Sequence, residues 1–515
     1  YCNDSNAIIY RDNFSSLCIQ ISYYCHSRAN WMSNERYPMQ MRIENSAKIP
    51  DELLQFVKKD TFSLIIKGAA GTGKTTLSLT ILRALEIKDN FFYICTRVSP
   101  KQLLLSYPWI SKFNEGLKEE KPTAYEVGNP VNFEDARLDE PESLFERITN
   151  ELMDVKSPLI IIDSWDAVAS FMDREARLNN ERVLQTWRER AGAKLIFVNE
   201  DATDSSLDFV VDGAVKLDQV SYEDIRLRKI SLLKLRGVKI SKPSYAFTLD
   251  KGNFRVFQNY NPKDFVVNLN SINFSQFNKK KYSQGSSLNE KGLIKTGYNE
   301  LDMNLGGGFP KRGVAVIEVE TDINMQVAMA FLFRIIWTFL KSGNVVFFEP
   351  PNGIDPVSLD SYLKAYLSIV QTHTERFFLV GSRVKDLTEP SSSGTDENQS
   401  EHVLSYFYKK VLKQQQYRTN RFLLSVLSSS RLQDFDSRMK MDHINFARQN
   451  IDLTIFVARK SESIRWVSEI CDIIFRICVV KGSLFLKTPY PLSPFLAMEV
   501  DSSFGYPMMN LIPLV

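Results

Sequence analysis

The sequence predicts an α/β protein of two tandem domains, each a mostly parallel sheet flanked by helices, the second a degenerate copy of the first. Three observations carry that expectation. In the first half, near-continuous apolar runs at 63–68, 91–95, 158–164 and 194–200 alternate with stretches of helical spacing. Runs of that kind suit strands buried on both faces of a parallel sheet. In the second half GVAVIEV (313–319), VVFFEP (345–350), RFLLSVLS (421–428) and LTIFVA (453–458) repeat the order. Between the halves, NLNSINFSQFNKKKYSQGSSLNEKG (268–292) has the Ser, Asn and Lys content of a linker.

The expected domains are an N-terminal extension (1–41) that packs poorly, a first domain (42–265), a linker (266–290) and a second domain (291–515). Within the last, TEPSSSGTDENQSEH (388–402) has the composition of a disordered loop. PESLFERITNELMDVK (141–156) and NNERVLQTWRERAG (179–192) show helical periodicity. The run 209–237 alternates with period two, which predicts antiparallel strands on the sheet edge. VAMAFLFRIIWTFL (327–340) falls short of a bilayer span and carries Arg334, so it reads as a buried core helix.

Composition narrows the partners. With 44% hydrophobic and 24% charged residues the 515-residue chain suits a soluble protein of two or more domains. A net charge of +3 supplies no global field toward nucleic acid or membrane. Cys95, Cys471 and Cys478 lie scattered in apolar runs and read as buried free thiols, which suggests a reducing, cytoplasmic setting. The first thirty residues lack a signal pattern, and Met32, Met39 or Met41 are candidate starts.

One motif carries chemistry. Residues 68–76 read GAAGTGKTT, two glycines five apart followed by Lys and Thr. Gly68 lets the chain turn off the strand, and Gly71 and Gly73 let main-chain N–H groups close on phosphate oxygens. Ala69, Ala70, Thr72 and Thr76 complete the loop and the first turn of the helix whose N-terminus faces the anion. Lys74 supplies charge to the β- and γ-phosphates, and the Thr75 hydroxyl can ligate Mg²⁺. Asp163, at the end of LIIID, is the candidate acid for holding that metal. Together they predict a nucleoside triphosphate site. His26, His373, His402 and His443 are too dispersed for a metal or acid–base cluster.

IKGAAGTGKTT, IIIDSWDAV, ISLLKLRGVKISKPSYAFTL and the lead-in GLIKTGYNELDMNLGGGFPKRG resemble RecA-superfamily ATPases of the KaiC type. The run IPDELLQFVKKDTFSLIIKGAAGTGKTT with YICTRVSPKQLLLSYPWI is similar to the archaeal gas-vesicle regulator GvpD family. The resemblance covers most of 48–262 and, more weakly, 291–515. It implies ATP and Mg²⁺ as ligands, a homo-oligomer through the first domain, and a regulatory switch acting on a protein partner, a transcriptional activator being the candidate. It also implies that Lys234 and Arg236 in LKLRG are catalytic, reaching the γ-phosphate on a neighbouring subunit.

Two departures stand beside the resemblance. Where KaiC-type enzymes carry adjacent glutamates, this chain has Thr96 and Arg97, so hydrolysis should be slow unless Glu200 or Asp201 serves; Arg97 is itself a candidate phosphate contact. In the second half Val319, Asn324, Met325 and Gln326 align with Gly68, Gly73, Lys74 and Thr75, and Glu320 and Asp322 would repel phosphate. Ser425 is expected where Asp163 stands. A DNA-acting RecA-like ATPase and a small-molecule kinase remain as alternatives, the first opposed by the near-neutral charge and the second lacking a recognisable acceptor pocket.

Overall fold

A computed structural model describes residues 48–515 except 88–89, 114–132, 155–156, 201–206, 223–224, 269–291, 356, 360, 364, 366–375, 380–408, 410, 414–420, 433–435, 461–465, 467–468 and 504. The expected extension at 1–41, nearly all of the linker, the loop 388–402 and Asp201 fall outside the described residues.

In the first half α1 (Asp51–Val57) leads into β1 (Phe62–Gly68), α2 (Lys74–Ala84), β2 (Phe91–Cys95), α3 (Pro100–Ser106) and β3 (Phe133–Asp135). Then come α4 (Pro141–Asp154), β4 (Leu159–Asp163), α5 (Trp165–Ala169), α6 (Arg174–Ala191), β5 (Lys194–Asn199) and α7 (Leu207–Val210). The half ends with β6 (Gly213–Tyr222), β7 (Ile225–Leu235), β8 (Ser244–Thr248) and β9 (Arg255–Val256). The second half has α8 (Asn299–Asn304), β10 (Gly313–Val319), α9 (Gln326–Lys341), β11 (Val345–Phe348), β12 (Phe377–Leu379) and β13 (Leu423–Ser428). It continues through α10 (Ser437–Asn450), β14 (Leu453–Arg459), β15 (Ile473–Val480), β16 (Ser483–Tyr490), β17 (Leu492–Asp501) and β18 (Met508–Pro513).

The two halves are the same fold twice. One sheet runs β3-β2-β4-β5-β1-β6-β7-β8-β9, the other β12-β11-β13-β14-β10-β15-β16-β17-β18, so each strand of the second occupies the place of a strand in the first. In both, the central strand lies parallel to its two neighbours, and an antiparallel run extends one edge. These are tandem RecA-like α/β domains with mostly parallel sheets. Beyond the four strands expected in the second half, β15–β18 add an antiparallel extension whose apolar residues alternate.

All seven residues of β1 are buried, which is what a strand covered on both faces requires. Successive side chains point to opposite faces. Leu64 and Ile66 pack with Phe56, Leu77 and Ile81 on one side, while Ile65 packs with Ile162, Trp165, Leu184 and Phe197 on the other. Helix α6 is fixed at its start by Asp173, whose carboxylate accepts from the Ala176 N–H at 2.8 Å, and stops at Gly192 with φ 65°. In α9 the Arg334 charge is matched rather than exposed: Nε donates to Gly297 O (3.0 Å) and Nη1 to Met509 O (2.9 Å). Cys95, Cys471 and Cys478 are free and buried, as expected. Among the described residues no helix is long and apolar enough to cross a membrane.

The antiparallel edges of the two sheets share one apolar cluster. Leu227, Ala246 and Phe257 of the first half pack there with Cys478, Phe485 and Phe495 of the second. Beside it Arg255 pairs with Glu499, the two side chains being 13% and 6% exposed, and the Gln258 N–H donates to the same carboxylate at 3.0 Å. Removing one member of such a pair leaves the other buried and uncompensated. Glu499→Ala is therefore expected to lower the unfolding free energy by about 3 kcal/mol, measured by urea denaturation. The paired change Arg255→Met with Glu499→Leu should recover most of that loss.

Candidate functional site

The chemistry gathers where the ends of β4, β5 and β1 lie side by side. Asp163 ends β4, Asn199 ends β5 with Glu200 just beyond it, and Gly68 ends β1. The carboxyl edge of a parallel sheet is where ligands of open α/β folds bind, because loops and helix N-termini converge there.

The loop is built from its glycines. A Cβ on Gly68 would lie 2.5 Å from Leu217 O on the neighbouring strand, so no side chain fits where β1 turns out of the sheet. Gly73 caps α2 with φ 102°, and a Cβ there would meet Leu249 at 2.9 Å. Between them the crest, Ala69, Ala70 and Gly71, is exposed while Thr72, Lys74 and Thr76 are buried. The Thr72 hydroxyl closes the turn on Ala69 O at 2.8 Å, and Thr76 shares a hydrogen bond with Tyr107 at 2.7 Å. Lys74 Nζ curls back onto Gly68 O (2.7 Å) and Ala69 O (2.9 Å), which holds its charge under the loop. Burial lowers the Lys74 pKa, and the nearby charges of Glu200, Asp163 and Asp166 oppose that shift.

Thr75 and Asp163, 88 positions apart in sequence, meet across β5: Thr75 Oγ1 donates to Asp163 Oδ2 at 2.7 Å. Tyr93 donates to the same oxygen at 2.7 Å, and Ser78 bonds the Tyr93 hydroxyl at 3.0 Å. Burial raises the Asp163 pKa, against the two hydroxyl hydrogen bonds and the Lys74 charge, which lower it. A hydroxyl beside an isolated carboxylate fits a magnesium ion that takes its remaining ligands from phosphate and water. No group of three or more His, Cys, Asp or Glu able to hold a metal occurs among the described residues.

Thr96 and Arg97 also reach this edge. Thr96 is buried, its hydroxyl donating to Ser164 O (3.0 Å) and accepting from Ser164 N (2.6 Å). Arg97 Nη2 pairs with Glu200 at 2.9 Å and its Nε reaches Ser164 Oγ at 3.2 Å. Glu200 is thus not a remote surface residue. Its N–H bonds Asp166, and its charge is the largest acidic influence on Lys74.

Lys234 and Arg236 do not join this cluster. Ala214 pairs with both Ile65 and Lys234, three residues short of Gly68, so Lys234 begins about 10 Å down the sheet and two strands across. Lys234 Nζ donates to Asp208 O (3.0 Å) and Val211 O (2.6 Å) at the end of α7, and Arg236 pairs with Asp212 at 3.2 Å. Neither can serve this chain's own loop from there.

Side chains without a motif complete the site. Tyr93 is one, and the facing pair Gln219 and Arg228 is another: both donate to Gly71 O, at 3.0 and 2.9 Å. Nothing in the local sequence singles them out: Gln219 and Arg228 lie on strands that carry several other polar residues.

The second half keeps the frame and reverses the loop. Between Val319 and Gln326 the connection is one residue longer than between Gly68 and Lys74, so Met325 caps α9 and Gln326, not Met325, stands at the Lys74 position. Arg459 Nη1 donates to Ile323 O (2.7 Å), Thr321 O (3.2 Å) and Glu320 O (3.5 Å), and Lys460 pairs with Glu320 at 3.3 Å. Carbonyls face a cation where N–H groups would face an anion. Ser425 is not the counterpart of Asp163, because β13 continues to Ser428, which pairs with Val457 as Asp163 pairs with Val198. His443 is buried and its pKa is pushed down to about 4, so it is a neutral core residue.

The fold and this loop define a P-loop nucleotide-binding protein of the RecA type. Residues 53–236 match the family described as GvpD gas vesicle protein, P-loop domain, so the first domain is a P-loop domain of the GvpD type. The chain is 25% identical to Protein GvpD2 of Halobacterium salinarum over 92% of its own length and 97% of that protein. It is 24% identical to Protein GvpD1 of the same organism, over 90% and 96%. It is 26% identical to the circadian clock oscillator protein KaiC of Prochlorococcus marinus over 50% of this chain and 49% of that one.

Because folding makes Asp163 harder to ionise, its contribution to stability is full below the ordinary carboxylate range and declines as pH rises through its raised folded value. Asp163→Asn should therefore raise the melting temperature without nucleotide near pH 7 and flatten its decline from acid to neutral pH. Thermal melts across that range check the sign.

Proposed function

We propose that the chain is an ATP-binding regulatory protein in which ATP and magnesium bind the first domain and set a state that a protein partner reads. The observation that carries this is the loop 68–76 closing over Lys74 with Thr75 held against Asp163. Lys74, now on the Gly68 and Ala69 carbonyls, would hold the β- and γ-phosphates, and Thr75 with Asp163 would hold magnesium, which would supply charge neutralisation on the phosphates. The similarity to a circadian clock oscillator protein and to gas vesicle proteins supports a regulatory role; the partner we propose is a transcriptional regulator.

Slow turnover suits such a switch, because the bound state must last long enough to be read. Thr96 and Arg97 are not bases at neutral pH, and the one acid beside Lys74 that follows β5, Glu200, is engaged by Arg97. Lys234 and Arg236 lie too far down the sheet to act in cis, which supports their acting on a neighbouring copy in a homo-oligomer formed through the first domain.

Isothermal titration with MgATP, combined with sizing, tests the reading. Lys74→Ala should weaken ATP at least about tenfold, the worth of one charge-assisted contact, and ATP should shift the wild type from monomer to oligomer. Equal affinity of the variant defeats the site assignment, and a wild type that stays monomeric with ATP bound defeats the trans role of Lys234 and Arg236. In a phosphate-release assay Arg97→Ala should raise turnover by about tenfold or more as Glu200 is freed to orient water, and adding Glu200→Ala should remove the gain. No rise in Arg97→Ala excludes Glu200 as the restrained base.

A further inference from the structure

We propose that Arg228 mechanically links the phosphate loop of the first domain to the last strand of the second, so that nucleotide bound in one domain is sensed by the other. This rests on the nucleotide reading above and adds the route by which the second domain receives the signal. Arg228 is half-buried on β7 and makes two contacts that belong to different domains. Its Nη1 donates to Gly71 O, at the crest of the loop, at 2.9 Å, and its Nε donates to the main-chain oxygen of Val515, just beyond β18, at 2.8 Å. A planar guanidinium presents these donors in a fixed fork, so one end cannot shift far without moving the other.

Both ends of the link are anchored. At the loop, Gln219, paired across from Arg228, holds the same Gly71 oxygen at 3.0 Å. In a trans peptide the N–H points opposite to the C=O. Holding the Gly71 carbonyl therefore also sets the direction of the Thr72 N–H on the same peptide, which donates to Ala69 O at 3.4 Å and would have to turn from it to meet a phosphate. At the other end Thr248 Oγ1 donates to Pro513 O at 3.1 Å, and Leu514 and Ile512 lie on the apolar cluster the two sheets share. Burial lowers the Arg228 pKa, consistent with a guanidinium partly withdrawn from water. Phosphate drawing the crest N–H groups inward locks the Gly71 carbonyl, then Arg228, then the end of β18.

Amide hydrogen exchange on the full chain, with and without MgATP, tests the link, with titration run in parallel to establish that each protein binds. In the wild type, saturating MgATP should slow exchange within Met508–Pro513 by about threefold or more, the scale of a locally stabilised strand. Gln219→Ala, which removes a loop anchor but not the bridge, should keep that response. Arg228→Ala, compared at MgATP concentrations that saturate the variant by titration, should lose it, and Arg228→Lys, which keeps the charge but cannot span both oxygens, should lose it too. A response in β18 that survives in Arg228→Ala, or a wild type that binds ATP with no change in β18, overturns the proposal. A wild type that fails to bind ATP instead sinks the nucleotide reading and the link with it.

Discussion

The position of the loop follows from the locking of β1 between β5 and β6. Both neighbours run parallel to it in continuous register, so all seven of its residues are buried and its end is fixed to within one residue. A slip of one residue would turn Leu64 and Ile66 toward the helices that now cover Ile65 and expel both faces from their clusters. That constraint puts Gly68 against Leu217, directs the chain out of the sheet, and starts α2 above the ends of β4 and β5. Thr75 reaches Asp163 because β4, β5 and β1 all end at this edge of the sheet.

The second half shows how little of this frame depends on nucleotide chemistry. β10 is held between β14 and β15 in the same parallel register, and Val319 pairs with Arg459 as the last step of the ladder. Arg459 stands where Glu200 stands in the first half, just after the residue paired with the penultimate position of the central strand. An acid follows that strand where the loop presents N–H groups and a lysine; a base follows it where the loop presents carbonyls. The lead-in is kept for structural reasons: the Thr296 N–H donates to Asp302 at 2.8 Å, and Ile294 bridges Phe309. Burial pushes the Asp302 carboxyl up to about 6, a marker of how deeply that turn is packed.

Much of the fold was legible because parallel strands buried on both faces are continuous apolar words, and β1, β2 and β10 match theirs to within a residue. The loop and Asp163 were legible because phosphate binding demands glycines, a lysine and a strand-end acid at fixed spacing. β15–β18 were harder, since half-exposed strands such as IIFRICVV alternate without a motif. Gln219, Arg228 and Tyr93 act through contacts with chain up to 287 positions away, and nothing local distinguishes them from ordinary strand residues. The misplacement of Ser425 had a related origin: the run to Ser428 was legible, but which of its residues stands level with Asp163 is set by pairing with the neighbouring strand.

Arg459 also makes the loss in the second half self-locking. With the guanidinium among the Glu320, Thr321 and Ile323 carbonyls, the loop has an internal counter-ion and its backbone is turned the wrong way for phosphate. Reverting Val319, Met325 and Gln326 toward a phosphate loop would gain nothing while that cation stays, and deleting the cation alone would strand three carbonyls. Each single step back thus leaves either a cation beside the site or carbonyls without their donor. Such a ratchet leaves a duplicated domain free to specialise in contacts.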